Sequence, residues 1–221
     1  MKDFELIRDF YDEEILYKKK KITLKPGITI LVGCNGVGKT TLLRQIKKQL
    51  EKENENIISF DNLRDGGSKA RDKYAFYGQM EKVATSMCSS EGENIVLNLG
   101  TFANEIGRFV RNFKNDNNDI WILCDAIDSG LSVDNIIDVK EYLFKTIIDD
   151  NKTKNVYIVV SANEYELARG EKCFDVYNGK YIKFKDYEEY RTFILKSKEE
   201  KNIRIDKGIE KRKATNKRRK S

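Results

Sequence analysis

Gly33-Cys34-Asn35-Gly36-Val37-Gly38-Lys39-Thr40-Thr41 fits the pattern G-x-x-x-x-G-K-[ST] at every fixed position. Just before it, Ile28-Thr29-Ile30-Leu31-Val32 is short, apolar and β-branched, as a buried strand is; just after it, Thr41 to Leu50 spaces its apolar residues as a helix does. The motif therefore lies between a strand and a helix, where a phosphate-binding loop works. Its glycines permit a tight turn that presents backbone N–H groups to phosphate oxygens, and the positive end of the helix dipole points the same way. Lys39 is expected to reach the β- and γ-phosphates of a nucleotide, and the Thr40 hydroxyl to sit on Mg²⁺. The expected nucleotide contacts thus run through the whole stretch from Gly33 to Thr41.

The chain outside this stretch narrows the chemistry further. Its 221 residues are enough to bury a sizeable core, and the length suits one compact domain with an extra lobe. There is no histidine, and Cys34, Cys88, Cys124 and Cys173 stand far apart with no C-x-x-C. That excludes zinc sites of the usual ligand sets and any histidine-based triad or proton shuttle. The thiols read as reduced and cytosolic. No run of 18 apolar residues and no signal-peptide core occurs, so a soluble cytoplasmic protein without a membrane partner is expected.

The formal charge is +6, but it is unevenly placed. Residues 201–221 hold ten Lys/Arg against two Asp/Glu, a surplus of +8, which leaves −2 for residues 1–200.

Working outward, Phe4 to Arg8 and Lys21 to Leu24 alternate apolar with polar, and Pro26-Gly27 turns the chain into the strand before the loop. An antiparallel β layer at the start is expected, with Tyr11 or Tyr17 as a core residue or as a stacking surface for adenine. Ile57 to Asp61 reads as a second buried strand, and Gly66-Gly67-Ser68 as a loop. Tyr74 to Met87 reads as helical, Ser89 to Glu93 interrupts it, and a helix resumes from Ile95 through Phe113. The segment from about 62 to 118 is therefore expected as a helical lobe inserted between two strands of a parallel sheet. Trp121 to Asp125 and Tyr157 to Ser161 are further buried strands, with helices expected over Val133–Ile148, Asn163–Arg169 and from near Tyr187. Phe174 to Phe184, with Asn178-Gly179 at its turn, reads as a β-hairpin.

Asp125 ends a strand 86 positions after Lys39. An aspartate there is the second half of a phosphate-loop ATPase site, holding Mg²⁺ directly or through water, because such sites lie at the carboxyl ends of parallel strands.

Together, Gly33 to Leu43 and Asp125-Ala126-Ile127-Asp128-Ser129-Gly130-Leu131-Ser132 resemble the ATPase heads of the ABC superfamily. The likeness is closer to the RecF, SMC and OLD-like branch than to transporters, and small AAA-family ATPases of this type are frequent in bacteriophages and mobile elements. The resemblance covers residues 1–195 or so. It implies an α/β P-loop NTPase head over residues 1–200, with a mostly parallel central sheet, an N-terminal antiparallel β layer and a helical lobe. ATP and Mg²⁺ are the implied cofactors, and a head-to-tail homodimer the implied assembly, acting on DNA or on a partner protein. Ser129 to Ser132 would face the partner subunit. Ser89-Ser90-Glu91-Gly92-Glu93 would match the signature motif, so that Ser89, Ser90 and Gly92 meet the phosphate held by the other head; equally, Ser90 and Glu93 form a capping box, and the two readings are compatible.

Two departures from the family pattern stand out. Ala126 occupies the place of the glutamate that polarises the attacking water, and alanine accepts no proton. Ser161-Ala162-Asn163-Glu164 replaces the region of the switch histidine, leaving Ser161 or Asn163 to face a γ-phosphate. Loss of a general base typically removes 10²- to 10⁴-fold in rate, so binding is expected to outlast turnover. Gln79, 40 positions after Lys39, is either the family's Mg²⁺-sensing glutamine or a solvated helix residue.

Residues 201–221, with Lys211-Arg212-Lys213 and Lys217-Arg218-Arg219-Lys220, are expected as a basic, disordered tail. Such a tail is either a solvated end or a sequence-blind contact to the phosphates of DNA or RNA. The function expected is an ATP-binding switch with impaired hydrolysis. The alternative is a nucleic-acid-binding accessory protein in which the tail matters most and nucleotide only holds the fold.

Overall fold

The computed structural model describes residues 1–6, 16–65, 70–113 and 118–218. Its centre is a six-stranded sheet in the order β4-β5-β6-β3-β7-β8, formed by β3 (Gly27–Val32), β4 (Asn56–Asp61), β5 (Ile120–Asp125), β6 (Val156–Ser161), β7 (Cys173–Asp175) and β8 (Lys180–Ile182). All neighbours run parallel except β8, which pairs antiparallel with β7 at one edge. A separate antiparallel pair joins β1 (Lys2–Glu5) to β2 (Lys21–Leu24). The expected α/β architecture, with a mostly parallel sheet, an antiparallel N-terminal layer and a helical lobe, is the one found. Tyr11 and Ile7-Arg8 of the first expected strand lie outside the described residues, as do Gly66 to Ser68.

Strand alternation sorts the core into two halves, since successive side chains point to opposite faces. On β5, Ile120, Ile122 and Cys124 join one buried cluster and Trp121 and Leu123 the other; on β6, Val156, Ile158 and Val160 oppose Tyr157 and Val159. The first face is covered by α5 (Glu91–Asn112), by the helix running from Val133 to Asp150, and by Tyr190. The second is covered by Leu42, Leu43, Ile46 and Leu50 of α1 (Lys39–Lys52) and by Phe4, Ile22 and Leu24 of the β1–β2 pair. Across the second face the Trp121 and Tyr157 rings stack at 3.9 Å between centroids. Burying both faces is what lets these strands read as nearly continuous apolar runs.

Three local departures from the sequence reading have physical causes. After the short α2 (Asn62–Asp65), the helical pattern from Tyr74 to Met87 breaks: α3 (Ala70–Phe76) ends and α4 (Met80–Cys88) begins around Gly78, whose φ of 67° is cheap only for glycine. The hairpin of β7 and β8 closes through the four residues 176–179 rather than a two-residue turn, because Asp175 gathers it: its carboxylate accepts from the Asn178 N–H at 3.1 Å, and its C=O from the Gly179 N–H. The last helix, α9 (Tyr187–Arg218), continues through most of the stretch expected as a disordered tail. The helix from Val133 to Asp150 comprises α6 (Val133–Asp138), a π-helical turn over Val139–Lys145, and α7 (Thr146–Asp150). Its buried Lys140 donates to the Glu166 and Arg169 carbonyls at the end of α8 (Tyr165–Ala168), where a cation is favoured.

Candidate functional site

Because β3 lies beside β6, and β6 beside β5, their carboxyl ends deliver three segments to one place: the Gly33–Thr41 loop, Asp125 and Ser161. Asp125 Oδ1 accepts from the Thr40 hydroxyl at 3.1 Å and from the Ser161 hydroxyl at 2.6 Å. Ser161 Oγ in turn accepts from the Ala126 N–H at 2.7 Å. The result is a small cluster of hard oxygens at the first turn of α1, the donor set that Mg²⁺ takes alongside phosphate oxygens and water. Thr40 and Asp125, expected to share that ion, are thus in direct contact.

The loop's own geometry follows from its glycines. Gly38 closes the turn at φ 106°, and an added Cβ would come within 3.2 Å of the Tyr17 ring. That closeness comes from Tyr17 itself, which is buried and donates its hydroxyl to the Gly38 carbonyl at 2.9 Å. Tyr17 is therefore a core brace of the loop, and not a free stacking surface. Lys39 donates to the Gly33 carbonyl at 2.9 Å. Burial lowers the pKa of its ammonium below the ordinary lysine value, against the opposing pull of Asp128, Cys34 and Asp125. A cleft of about 320 Å³ opens here, lined among others by Asn35, Lys39, Thr40, Asp125, Ala126 and Asn163.

Ala126 stands in the left-handed region at φ 51°, a conformation that costs a residue with a Cβ roughly 1 kcal/mol or more. Its methyl is on the cleft and brings no proton acceptor. Asn163 borders the same cleft, with its side chain donating to Ser129 Oγ at 3.2 Å. Asp128, which follows on the same turn, is buried; its Oδ2 accepts from the N–H groups of Asn163 and Glu164 at 2.6 and 2.7 Å, while Oδ1 has no hydrogen-bond partner among the described residues. Burial above all raises its carboxyl pKa, with the two N–H bonds pulling the other way. In the sequence Asp128 stands out only as part of the Asp125–Ser132 segment. Its observed work is to tie the turn after β5 to the segment after β6.

The remaining candidates lie elsewhere. Ser89, Ser90 and Gly92 stand at the start of α5 and do not line the phosphate cleft. Ser90 and Glu93 form the capping box, with the Ser90 N–H donating to Glu93 Oε2 at 2.6 Å and the Glu93 N–H to Ser90 Oγ at 3.3 Å. Gly92 and Ile95 pack on Gly130: a Cβ at Gly92 would meet the Gly130 carbonyl at 3.4 Å, and one at Gly130 the Ile95 side chain at 2.6 Å. The signature candidate and the Ser129–Gly130 turn therefore form one surface. Replacing Ser90 with alanine is expected to cost about 1 kcal/mol in denaturant unfolding, the usual worth of such a cap. The same box holds the Glu93 carboxyl below its ordinary pKa through the Ser90 N–H, so its support is present above the ordinary glutamate range and fades as pH falls through the lowered value.

Gln79 is exposed just before α4 and borders a different, larger cleft of about 740 Å³ within the lobe, with Tyr74, Lys82 and Arg108. The structure does not bring it to Thr40 and Asp125. Two residues the sequence reading passed over do reach the loop: Ser197 Oγ accepts from the buried Cys34 N–H at 3.2 Å, and Lys201 Nζ donates to the Asn35 carbonyl at 2.8 Å. Their signal was the spacing Tyr190, Ile194, Ser197, Lys201, Arg204, a single helical stripe that turns from apolar to polar partway along.

Comparison with known proteins adds a family match. A family model described as an AAA domain matches residues 22–164, which contain the loop, Asp125 and Ser161. No curated protein matches the chain. Among solved structures, the chain is similar to a nucleotide-free ATP-binding cassette from an ABC transporter, at 14% identity and a TM-score of 0.48, over 87% of this chain and 94% of that one.

Proposed function

The chain belongs to the AAA-domain family, and from that premise we propose that it is an ATP-binding switch whose closed form is a head-to-tail homodimer built around two ATP·Mg²⁺. Within the P-loop ATPases, its Asp125–Ser132 segment favours the RecF, SMC and OLD-like heads. The observation that carries the reading is the Thr40–Asp125–Ser161 oxygen cluster at the N-terminus of α1, beside Lys39. A triphosphate there meets the helix dipole, the loop N–H groups and one ammonium, while its Mg²⁺ meets a hydroxyl and a carboxylate. Pairing of heads is supported by the place of Ser89, Ser90 and Gly92. Gly92 packs on the Gly130 carbonyl, and none of the three lines this chain's phosphate cleft, so a phosphate that reaches them belongs to another copy.

Turnover is slow in this account. Ala126 supplies no base, the neutral Asn163 amide is too weakly basic to take a proton from water, and Asp128 is buried, tied to two backbone N–H groups and off the cleft. ATP therefore holds the dimer closed for long periods, and the closed dimer acts in the cytoplasm on DNA or on a partner protein. Among the described residues no helix is long and apolar enough to cross a membrane. Size-exclusion chromatography with and without ATP·Mg²⁺ tests the pairing: a shift from monomer to dimer on adding nucleotide is expected, and a monomer under both conditions contradicts it.

The +8 surplus over residues 201–221 favours a second reading, in which nucleic-acid binding by this segment is the main activity. Deleting residues 205–221 is then expected to weaken binding to a DNA duplex and to flatten its salt dependence. Unchanged affinity across salt removes that reading.

A further inference from the structure

Four residues of α9 follow one another along a single helical stripe and grip four backbone groups, two of which belong to the phosphate loop itself. Tyr190 donates its hydroxyl to the Asn163 carbonyl at 3.2 Å. Ser197, buried, accepts the Cys34 N–H at 3.2 Å. Lys201 donates to the Asn35 carbonyl at 2.8 Å, and its Nζ lies 3.5 Å from where a Cβ on Gly36 would be. Arg204 donates to the Leu16 carbonyl at 2.7 Å, one residue before Tyr17, and its guanidinium lies over the Tyr177 ring at 4.7 Å. The intervals of four, three, four and three from Tyr190 through Ile194 to Arg204 keep all of these on the face turned to the body, while Leu195, Ile203 and Ile205 stay exposed.

The consequence for the loop is a matter of peptide geometry. The Asn35–Gly36 peptide is trans and planar, so its C=O and N–H point in opposite directions. Lys201 holds the Asn35 carbonyl on the side of α9. The Gly36 N–H is thereby aimed away from α9, and Gly36 lines the phosphate cleft. Ser197 fixes the Gly33–Cys34 peptide, whose carbonyl accepts from Lys39, through the Cys34 N–H in the same manner. A loop with Gly33, Gly36 and Gly38 in six positions has much conformational freedom to lose on binding; a clamp that removes it beforehand strengthens binding without touching the ligand.

We propose that α9 is a clamp on the phosphate loop, with Ser197 and Lys201 as positioning residues that set nucleotide affinity from outside the pocket. The proposal rests on the reading of Gly33–Thr41 as a triphosphate site. It goes beyond that reading in making affinity depend on the C-terminal helix.

The test is calorimetric titration of full-length protein with Mg·ATP and, separately, Mg·ADP, comparing the unchanged chain with Lys201→Ala, Lys201→Arg and Ser197→Ala, with the melting temperature of each recorded. Lys201→Ala is expected to weaken ATP and ADP alike, by about 3- to 10-fold, the usual worth of one such hydrogen bond. Ser197→Ala is expected to weaken both nucleotides in the same way. Lys201→Arg, which restores a cationic donor, is expected to return most of the affinity, and the melting temperature is expected to follow none of these changes closely. Unaltered affinity in Lys201→Ala overturns the clamp. So does a loss confined to ATP, since that would make Lys201 a direct γ-phosphate contact, and so does a loss that arginine fails to restore. Absence of uptake by the unchanged chain overturns the triphosphate reading itself, and the clamp with it; this outcome is distinct from equal uptake by the unchanged chain and Lys201→Ala.

Discussion

Replacing Ala126 with glutamate is expected to raise the rate of ATP hydrolysis by about 10²- to 10⁴-fold, the range a positioned general base supplies. Position 126 directly follows Asp125 and lines the phosphate cleft, so a carboxylate there would stand beside the oxygen cluster of Thr40, Asp125 and Ser161. The backbone needs no change to receive it. Ala126 is already left-handed at φ 51°, and its N–H is already bonded to Ser161, so glutamate meets the same backbone strain that alanine does. Stability should therefore move little while turnover moves greatly. Single-turnover measurement of phosphate release, with the unchanged chain in parallel, reads the difference directly. An Ala126→Glu chain no faster than its parent would show that the missing carboxylate is not what limits the reaction.

Replacing Lys39 with alanine is expected to weaken ATP binding by about 10²-fold or more, as befits a charge-assisted contact in a largely buried place. Lys39 starts α1, and its ammonium is held by the Gly33 carbonyl, close enough to Asp125 and Asp128 to feel both. Removing it leaves the helix N-terminus and the loop N–H groups, which attract phosphate without a full counter-charge. It also removes the positive charge that offsets Asp125 and Asp128 beside the phosphates, so the loss should be larger for ATP than for ADP. Because the helix cap is Gly38 with no side-chain bond, truncating Lys39 should cost little fold stability, and a circular dichroism melt run beside the titration separates the two effects.

The elements that carry phosphate chemistry were legible because their signals are local. A nine-residue motif between an apolar run and a helical period places the loop, and an aspartate closing a second apolar run places its partner. The β-branched strands of the parallel sheet were legible for the same reason. The order β4-β5-β6-β3-β7-β8 was not, since nothing local says which apolar strand sits beside which. Ser161 shows the consequence: it read as one of two candidates for a γ-phosphate contact, and it emerges as the second hydrogen bond on Asp125 because β6 lies between β5 and β3.

The C-terminal helix was legible at its start near Tyr187, but its continuation past residue 200 and its contacts with the loop were not, for another reason. Hydrophobic periodicity finds helices that bury an apolar stripe, and past Ile194 the buried face of α9 makes polar contacts with backbone groups of the body. Ser197, Lys201 and Arg204 look like solvated residues in composition; only their spacing betrays a common face. Gln79 is the reverse case. Its distance from Lys39 suited a metal-sensing residue, yet the break at Gly78 leaves it on the rim of the lobe's own cleft.

Calorimetric titration of the unchanged chain with ATP in the presence of Mg²⁺ bears most directly on the whole account. One saturable site per chain is predicted, lost on replacing Lys39 with alanine and weakened when Mg²⁺ is withdrawn. Absence of binding heat, or equal uptake by the Lys39→Ala chain, would contradict it.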